Sequence, residues 1–258
     1  MEFLYIGILI IFVGIGLLLY MWSEAFRNKV YKQTLTFDRF PKGLGEINIF
    51  FISDIHRRVI SPEIFSQLNE KVDLVIIGGD LCEKGVSFEK IKQNIIELRK
   101  LAPTYFVWGN NDYEVDHHRL DLLLLDENVK ILDNTAVTFE SEQGEKISLL
   151  GVDDLKCGRH RLDLALMDAG DDVVFKILAC HNPEIMDEIT SDHDIDLVLS
   201  GHTHGGQIRL FNMGLYEKGG IEKKGSTTLL VSNGYGTTKL PLRLGAPPET
   251  HLITIKHT

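Results

Sequence analysis

Asp54-Ile55-His56 and Gly201-His202-Thr203-His204 each set two metal-ligating side chains one residue apart. In extended backbone, residues i and i+2 project to the same side, so each pair is expected to converge on one locus. Three further segments carry ligand-type residues: Gly78-Gly79-Asp80, Gly109-Asn110-Asn111-Asp112 and His181-Asn182. Imidazoles mixed with carboxylate and carboxamide oxygens suit Mn, Fe, Zn or Co better than Ca or Mg. Each fragment alone has an ordinary explanation, as a surface pair, a turn or a rim histidine. The G-H-x-H pair is the most specific of them, and five such segments together favour a shared metal site.

These segments follow short apolar runs. Residues 47–53, 73–77, 104–108, 173–180 and 195–200 read as buried strands rich in Ile, Val, Leu and Phe. Residues 63–69, 88–101 and 120–126 have helical spacing, and the alternation implies an α/β fold with crossover connections. Ligand-type residues thus recur at the carboxyl ends of strands, where open α/β sheets place their sites. Later runs at 129–132, 136–139, 147–152, 227–231 and 251–255 add strand rather than helix. The total exceeds one comfortable sheet, so the expected architecture is two packed mixed β-sheets flanked by helices, a four-layer αββα sandwich. Phe50, Phe51 and Trp108 lie in these strands and read as core rather than as stacking surfaces.

In order from Asp54 to His204 the segments trace D-x-H, G-D, G-N-x-[DE], H and G-H-x-H, and the chain thereby resembles the calcineurin-like metallophosphoesterase superfamily. Two later stretches, Val231-Ser232-Asn233-Gly234-Tyr235-Gly236-Thr237 and Leu240-Pro241-Leu242-Arg243-Leu244-Gly245-Ala246-Pro247-Pro248-Glu249, are similar to its membrane-associated branch. The resemblance implies one divalent ion held by Asp54, His56, Asp80 and His204, and a second by Asp80, Asn110, His181 and His202, with Asp80 bridging. Such a pair, roughly 3.5–4 Å apart, clamps a phosphate and lowers the pKa of a bridging water. The implied reaction is phosphoester hydrolysis by a metal-bridging hydroxide, without a side-chain nucleophile. Where the family has G-N-H-[DE], Asn111 replaces the histidine that usually meets the phosphoryl or leaving group. Asparagine donates a hydrogen bond but is no general acid at neutral pH, so diesters or good leaving groups are the expected substrates. His117 and His118 are near in sequence and read as solvated residues at a helix start.

The rest of the sequence bounds the setting. Residues 3–22 form an uncharged run long enough to cross a hydrocarbon core of roughly 30 Å. The expected organisation is a transmembrane helix over 1–22, a juxtamembrane connector over 23–44 and a catalytic domain over 45–258. A cleaved signal peptide is the rival reading, disfavoured by Glu2 at the position of a basic n-region. Arg27, Lys29 and Lys32 behind the run favour a single-pass protein of the cell membrane with its catalytic domain in the cytoplasm. The tether makes lipid-like or envelope precursors attractive as phosphoester substrates. A net charge of −10 argues against a nucleic-acid interface. Three scattered cysteines suggest neither a disulfide framework nor a thiolate zinc site. Arg57-Arg58 and Arg159-His160-Arg161 are candidates for an anion contact, with ordinary surface as their simpler reading. A catalytically silent metal-binding scaffold is the alternative from another functional class. A metallo-β-lactamase-type hydrolase is disfavoured by the lack of an H-x-H-x-D-H cluster.

Overall fold

The computed structural model describes residues 1–211 and 213–258. In chain order the elements are α1 (Glu2–Ala25), β1 (Val30–Phe37), β2 (Glu46–Ile52), the one-turn α2 (Pro62–Phe65), β3 (Leu74–Gly78), α3 (Phe88–Arg99) and β4 (Thr104–Val107). There follow α4 (His117–Asp126), β5 (Lys130–Ile131), β6 (Thr135–Glu140), β7 (Lys146–Gly151), α5 (Leu162–Ala169) and β8 (Val173–Ala179). The last strands are β9 (Leu197–Ser200), β10 (Gly220–Lys224), β11 (Thr227–Val231) and β12 (Thr250–His257).

The strands form two six-stranded mixed sheets, ordered β1-β12-β2-β3-β4-β5 and β10-β11-β9-β8-β7-β6. β2 to β5 run parallel, as do β7, β8, β9 and β11. The inner faces meet through Ile49, Phe51, Ile253, Leu149, Phe175 and Leu197. α3 and α4 cover the outer face of the first sheet, with Ile91, Ile95, Leu120 and Leu124 against Phe50, Val75 and Phe106. α5 covers the second, with Leu162 and Ala165 against Leu150 and Val198. The αββα sandwich therefore stands, and Phe50, Phe51 and Trp108 are core residues as expected.

Several elements differ from the sequence reading. The stretch 23–44, expected as a polar connector, contains β1, the edge strand of the first sheet, paired parallel with β12 from Val30↔Thr250 to Phe37↔His257. Its alternation explains this: Tyr31, Gln33, Leu35 and Phe37 are half-buried between exposed Lys32, Thr34 and Thr36, and Phe37 packs edge-on to Phe175 at 4.9 Å. The helix expected over 63–69 is only α2, capped by the Ser61 side chain, which accepts from Glu63 N–H. α5 and β10 had no counterpart among the expected elements.

α1 has 24 residues, about 36 Å of helix, and is long and apolar enough to cross a membrane. Its side chains are exposed except in the last turn, where Met21, Glu24 and Ala25 are buried against the domain.

Candidate metal centre

Four of the seven expected ligands stand two residues beyond a strand: Asp54 after β2, Asp80 after β3, His181 after β8 and His202 after β9. Asn110 stands three beyond β4, and His56 and His204 follow within the same loops. The loops are laced together. Asp54 N–H donates to Gly79 O at 3.0 Å and His56 N–H to Asp80 O at 3.1 Å. His202 N–H donates to both Asp54 carboxylate oxygens at 3.1 Å.

The expected route to convergence is corrected here. Asp54, His56, His202 and His204 are not in extended backbone; their φ angles are 54°, 50°, 71° and 50°, and that of Asp80 is 51°. Left-handed turns immediately past the strands aim these side chains inward, a conformation that Asp, Asn and His tolerate better than most residues. Close approach demands glycine nearby. A Cβ on Gly109 would fall 2.3 Å from Asp80 N and Oδ1, and one on Gly201 2.3 Å from Asp54 Oδ2.

Six of the seven expected ligands come together in two clusters, and the seventh, Asn110, lines the same cleft. Asp54, His56 and His204 form one group and Asp80, His181 and His202 the other, each able to hold a metal ion. Nε2 of His56 and His204 lie 3.0 Å apart, and Asp54 Oδ1 is 3.4 Å from His204 Nε2. In the second cluster His202 Nδ1 is 3.1 Å from His181 Nε2. Asp80 Oδ2 lies 3.3 Å from His181 Nε2 and 3.7 Å from His56 Nε2, so one carboxylate oxygen faces both clusters. Its Oδ1 accepts from Asn111 N–H at 2.8 Å. The Asn110 amide donates to Asn111 Oδ1 at 2.7 Å, which leaves Asn110 Oδ1 buried and unpartnered. Ring nitrogens facing one another across about 3 Å, with an orphaned buried carbonyl oxygen, are what two cations would satisfy; the residues fit the group.

Two of the four imidazoles are held in the metal-binding form. Burial, then the neighbouring Arg243 and His56, hold His204 well below the usual histidine range. Burial and His181 press His202 down to about 4. Both rings are thus neutral, the form that binds metal. Burial would lower His181 too, but the adjacent Asp80 carboxylate raises it to about 10. Asp112 accepts from Gly109 N–H and Cys82 N–H, yet burial followed by repulsion from Asp80 lifts it to about 7.

A cleft of about 570 Å³ opens over the centre, lined by His56, Asp80, Asn110, Asn111, His202 and His204, with Lys156 and Lys239 at its walls. The basic clusters singled out in the sequence lie elsewhere. Arg57 is paired with Glu83. Arg58 is buried and donates to carbonyls of Ala25, Phe26, Arg27 and Tyr235. Arg159 pairs with Asp153, Arg161 with Asp163 and His160 with Glu188. His117 and His118 open α4 and do not line the cleft.

Sequence reasoning missed two supporting residues. Glu83 Oε2 sits 3.1 Å from His56 Nδ1, in contact though without the alignment of a full hydrogen bond. Arg243, fully buried, donates to Nδ1 of His204 at 3.0 Å and to the carbonyls of Asn233, Gly236 and Ala246. Its signal was a lone arginine inside the otherwise apolar stretch 240–248.

Comparison with known proteins bears on this geometry. A family model described as calcineurin-like phosphoesterase matches residues 47–206. The uncharacterised protein YpbG of Bacillus subtilis is 45% identical over 239 residues, 91% of this chain and 90% of its own. Phosphodiesterase YaeI of Escherichia coli is 27% identical over 91% of this chain and 88% of its own. A transmembrane protein with a metallophosphoesterase domain from Bos taurus is 32% identical over 83% of this chain and 54% of its own.

Proposed function

The chain belongs to the calcineurin-like phosphoesterase family, and from that premise we propose that it is a membrane-anchored phosphoester hydrolase working with two divalent cations. The observation that carries the reading is the shared Asp80 oxygen between two three-residue clusters. Asp54, His56, His204 and Asp80 hold one cation; Asp80, Asn110, His181 and His202 hold the other. Bound there, Mn, Fe, Zn or Co ions supply positive charge for phosphoryl oxygens and activate water as the nucleophile at neutral pH.

The chain's own residues set the rest. The Asn111 main chain fixes Asp80, while its side chain, half-buried at the cleft, orients Asn110 and offers a donor to a phosphoryl oxygen. A carboxamide gives no proton to a departing alkoxide, so diesters and good leaving groups are preferred. The relative named a phosphodiesterase supports that direction. Lys156 and Lys239 bring positive charge to the mouth of the cleft.

α1 serves as a single-pass anchor in the cell membrane, a reading supported by its length and by the transmembrane relative. Arg27, Lys29 and Lys32 put the domain on the cytoplasmic side. Anchoring favours lipid-like or envelope-precursor phosphoesters as substrates.

The test is hydrolysis of paired nitrophenyl mono- and diesters by the full chain in detergent, with Mn²⁺ and with chelator, beside a His202→Ala control. Metal-dependent turnover that is absent from the control is expected. No turnover with two bound metals would turn the assignment to a silent scaffold.

A further inference from the structure

Residues 208–211 and 213–216 carry unusual surface. Leu210 is 58% exposed, Phe211 94%, Met213 72% and Leu215 90%, and Leu240 beside them is 60% exposed. Isolated exposed apolar residues are ordinary, but five large ones grouped together mark a contact surface.

This segment is tied down and connected. Arg209 N–H donates to Leu244 O at 2.8 Å and Leu244 N–H to Gln207 O at 2.9 Å. The Gln207 side chain donates to the carbonyls of Thr238 and Leu240 at 3.2 and 3.1 Å. The stretch that it grips is bonded in turn to the apolar helix, because Arg243 N–H donates to Met21 O at 3.0 Å. Arg58 fastens the same helix end through the carbonyls of Ala25 and Phe26. Along α1 the exposed apolar side chains continue as far as Trp22 and Phe26. Hydrogen bonds therefore run without a break from the apolar segment through the stretch 238–244 to the last turn of α1. The metal centre opens onto this apolar face, since Ile208, Leu215, Tyr216 and Leu240 line the same cleft as His56 and Asp80.

Resting on the anchored reading above, we propose that this face is the domain's docking surface on the bilayer, and that the substrate is an amphiphilic phosphoester taken directly from it. Continuity with a membrane-crossing helix names the occupant. The last turn of α1 is fixed to the domain, so whatever lies beside it lies at the membrane surface. Leu210, Phe211 and Met213 enter the interfacial zone as an apolar wedge, with Trp22 at the matching depth on α1. The cleft then faces the headgroup layer. A lipid's phosphate reaches the centre past Lys156 and Lys239 while its chains remain in the hydrocarbon, against Leu215 and Leu240.

The experiment uses the full chain in phosphatidylcholine–phosphatidylglycerol vesicles, in a Cys157→Ser background because Cys157 is exposed. Spin labels are placed by Phe211→Cys, Met213→Cys, Leu9→Cys on α1 and Asp171→Cys at the opposite, amino-terminal edge of β8. Labels at 211 and 213 are expected to relax more with oxygen than with a water-soluble nickel chelate, like the label at 9 and unlike that at 171. Water exposure at 211 and 213 with lipid exposure at 9 would overturn the docking surface and spare the anchor. Water exposure at 9 would instead sink the anchored reading itself. Shielding of 211 and 213 from both reagents would overturn the proposal in favour of a protein partner. For substrate class, a Phe211→Ser, Met213→Ser double variant, which leaves the metal centre untouched, should lose at least about tenfold in turnover of a vesicle-borne phosphodiester relative to a soluble nitrophenyl diester. An unchanged ratio would refute the amphiphilic substrate.

Discussion

Replacing Arg243 with lysine tests how the C-terminal stretch holds the centre. The guanidinium is completely buried, and burial lowers its pKa to about 10, so it remains charged at neutral pH. Its side chain donates to five carbonyls. Two of these have a second donor: Gly234 O accepts from Glu249 N–H and His204 O from Gln207 N–H. The carbonyls of Asn233, Gly236 and Ala246 take their bonds from Arg243. A lysine ammonium brings three hydrogens to one point and cannot span the fork, leaving one or two of these buried oxygens bare at about 1–3 kcal/mol each. A loss of about 3 kcal/mol corresponds to a Tm lower by about 6–12 °C for a chain of this size. Thermal unfolding of the full chain in detergent, followed by circular dichroism with and without Mn²⁺, gives the number. Arg243→Met, which abandons all three carbonyls, should fall further. An Arg243→Lys variant melting within about 2 °C of the parent would refute this accounting.

Four further outcomes are expected. Glu83→Gln, which weakens the carboxylate beside His56 Nδ1, should reduce metal affinity about 10–100-fold in a competition titration, with the fold retained by circular dichroism. Asn111→His restores a proton donor at the cleft and should raise turnover of alkyl monoesters by about a hundredfold or more, while nitrophenyl diesters change little; equal effects on both would contradict the role given to Asn111. Burial presses His251 down to about 3, so the unfolded chain takes up its proton first; the resulting stability is complete above about pH 6.5 and drains away as pH falls toward 3, at about 1.4 kcal/mol per unit. Denaturant titrations should therefore show His251→Gln flattening that acid limb relative to the parent. Cys157 is exposed, with burial and Asp154 raising its thiol to about 11; in intact cells a membrane-impermeant maleimide should label it only after permeabilisation, and labelling without that step would reverse the topology.

The sandwich and the candidate ligands were legible because both depend on local pattern. Buried strands announce themselves as apolar runs, and Asp54, Asp80, His181 and His202 sit just past four of them. What the pattern did not show was how these side chains turn inward, because left-handed φ at Asp54, His56 and His204 is imposed by loop-to-loop bonds from distant parts of the chain. β1 was hidden for a related reason. Its partner β12 lies 220 residues further on, from Val30 to Thr250, and half-buried residues such as Gln33 and Tyr31 weaken the apolar alternation of an edge strand. Arg58 was read as ordinary surface or a candidate anion contact, because a sequence does not reveal that an arginine beside a candidate ligand histidine is buried under the end of a helix.

The placing of β12 between β1 and β2 gives the molecule an order of assembly. During synthesis α1 and β1 emerge first, yet β1 has no neighbour until β12 arrives, and Asp54 lacks the Gly236 N–H that binds its carbonyl at 2.6 Å. His204 likewise waits for Arg243. A ribosome-bound fragment ending before residue 240 would hold every candidate ligand but not the clasp that orders them. The contact that orients His204 is therefore among the last that the growing chain can form.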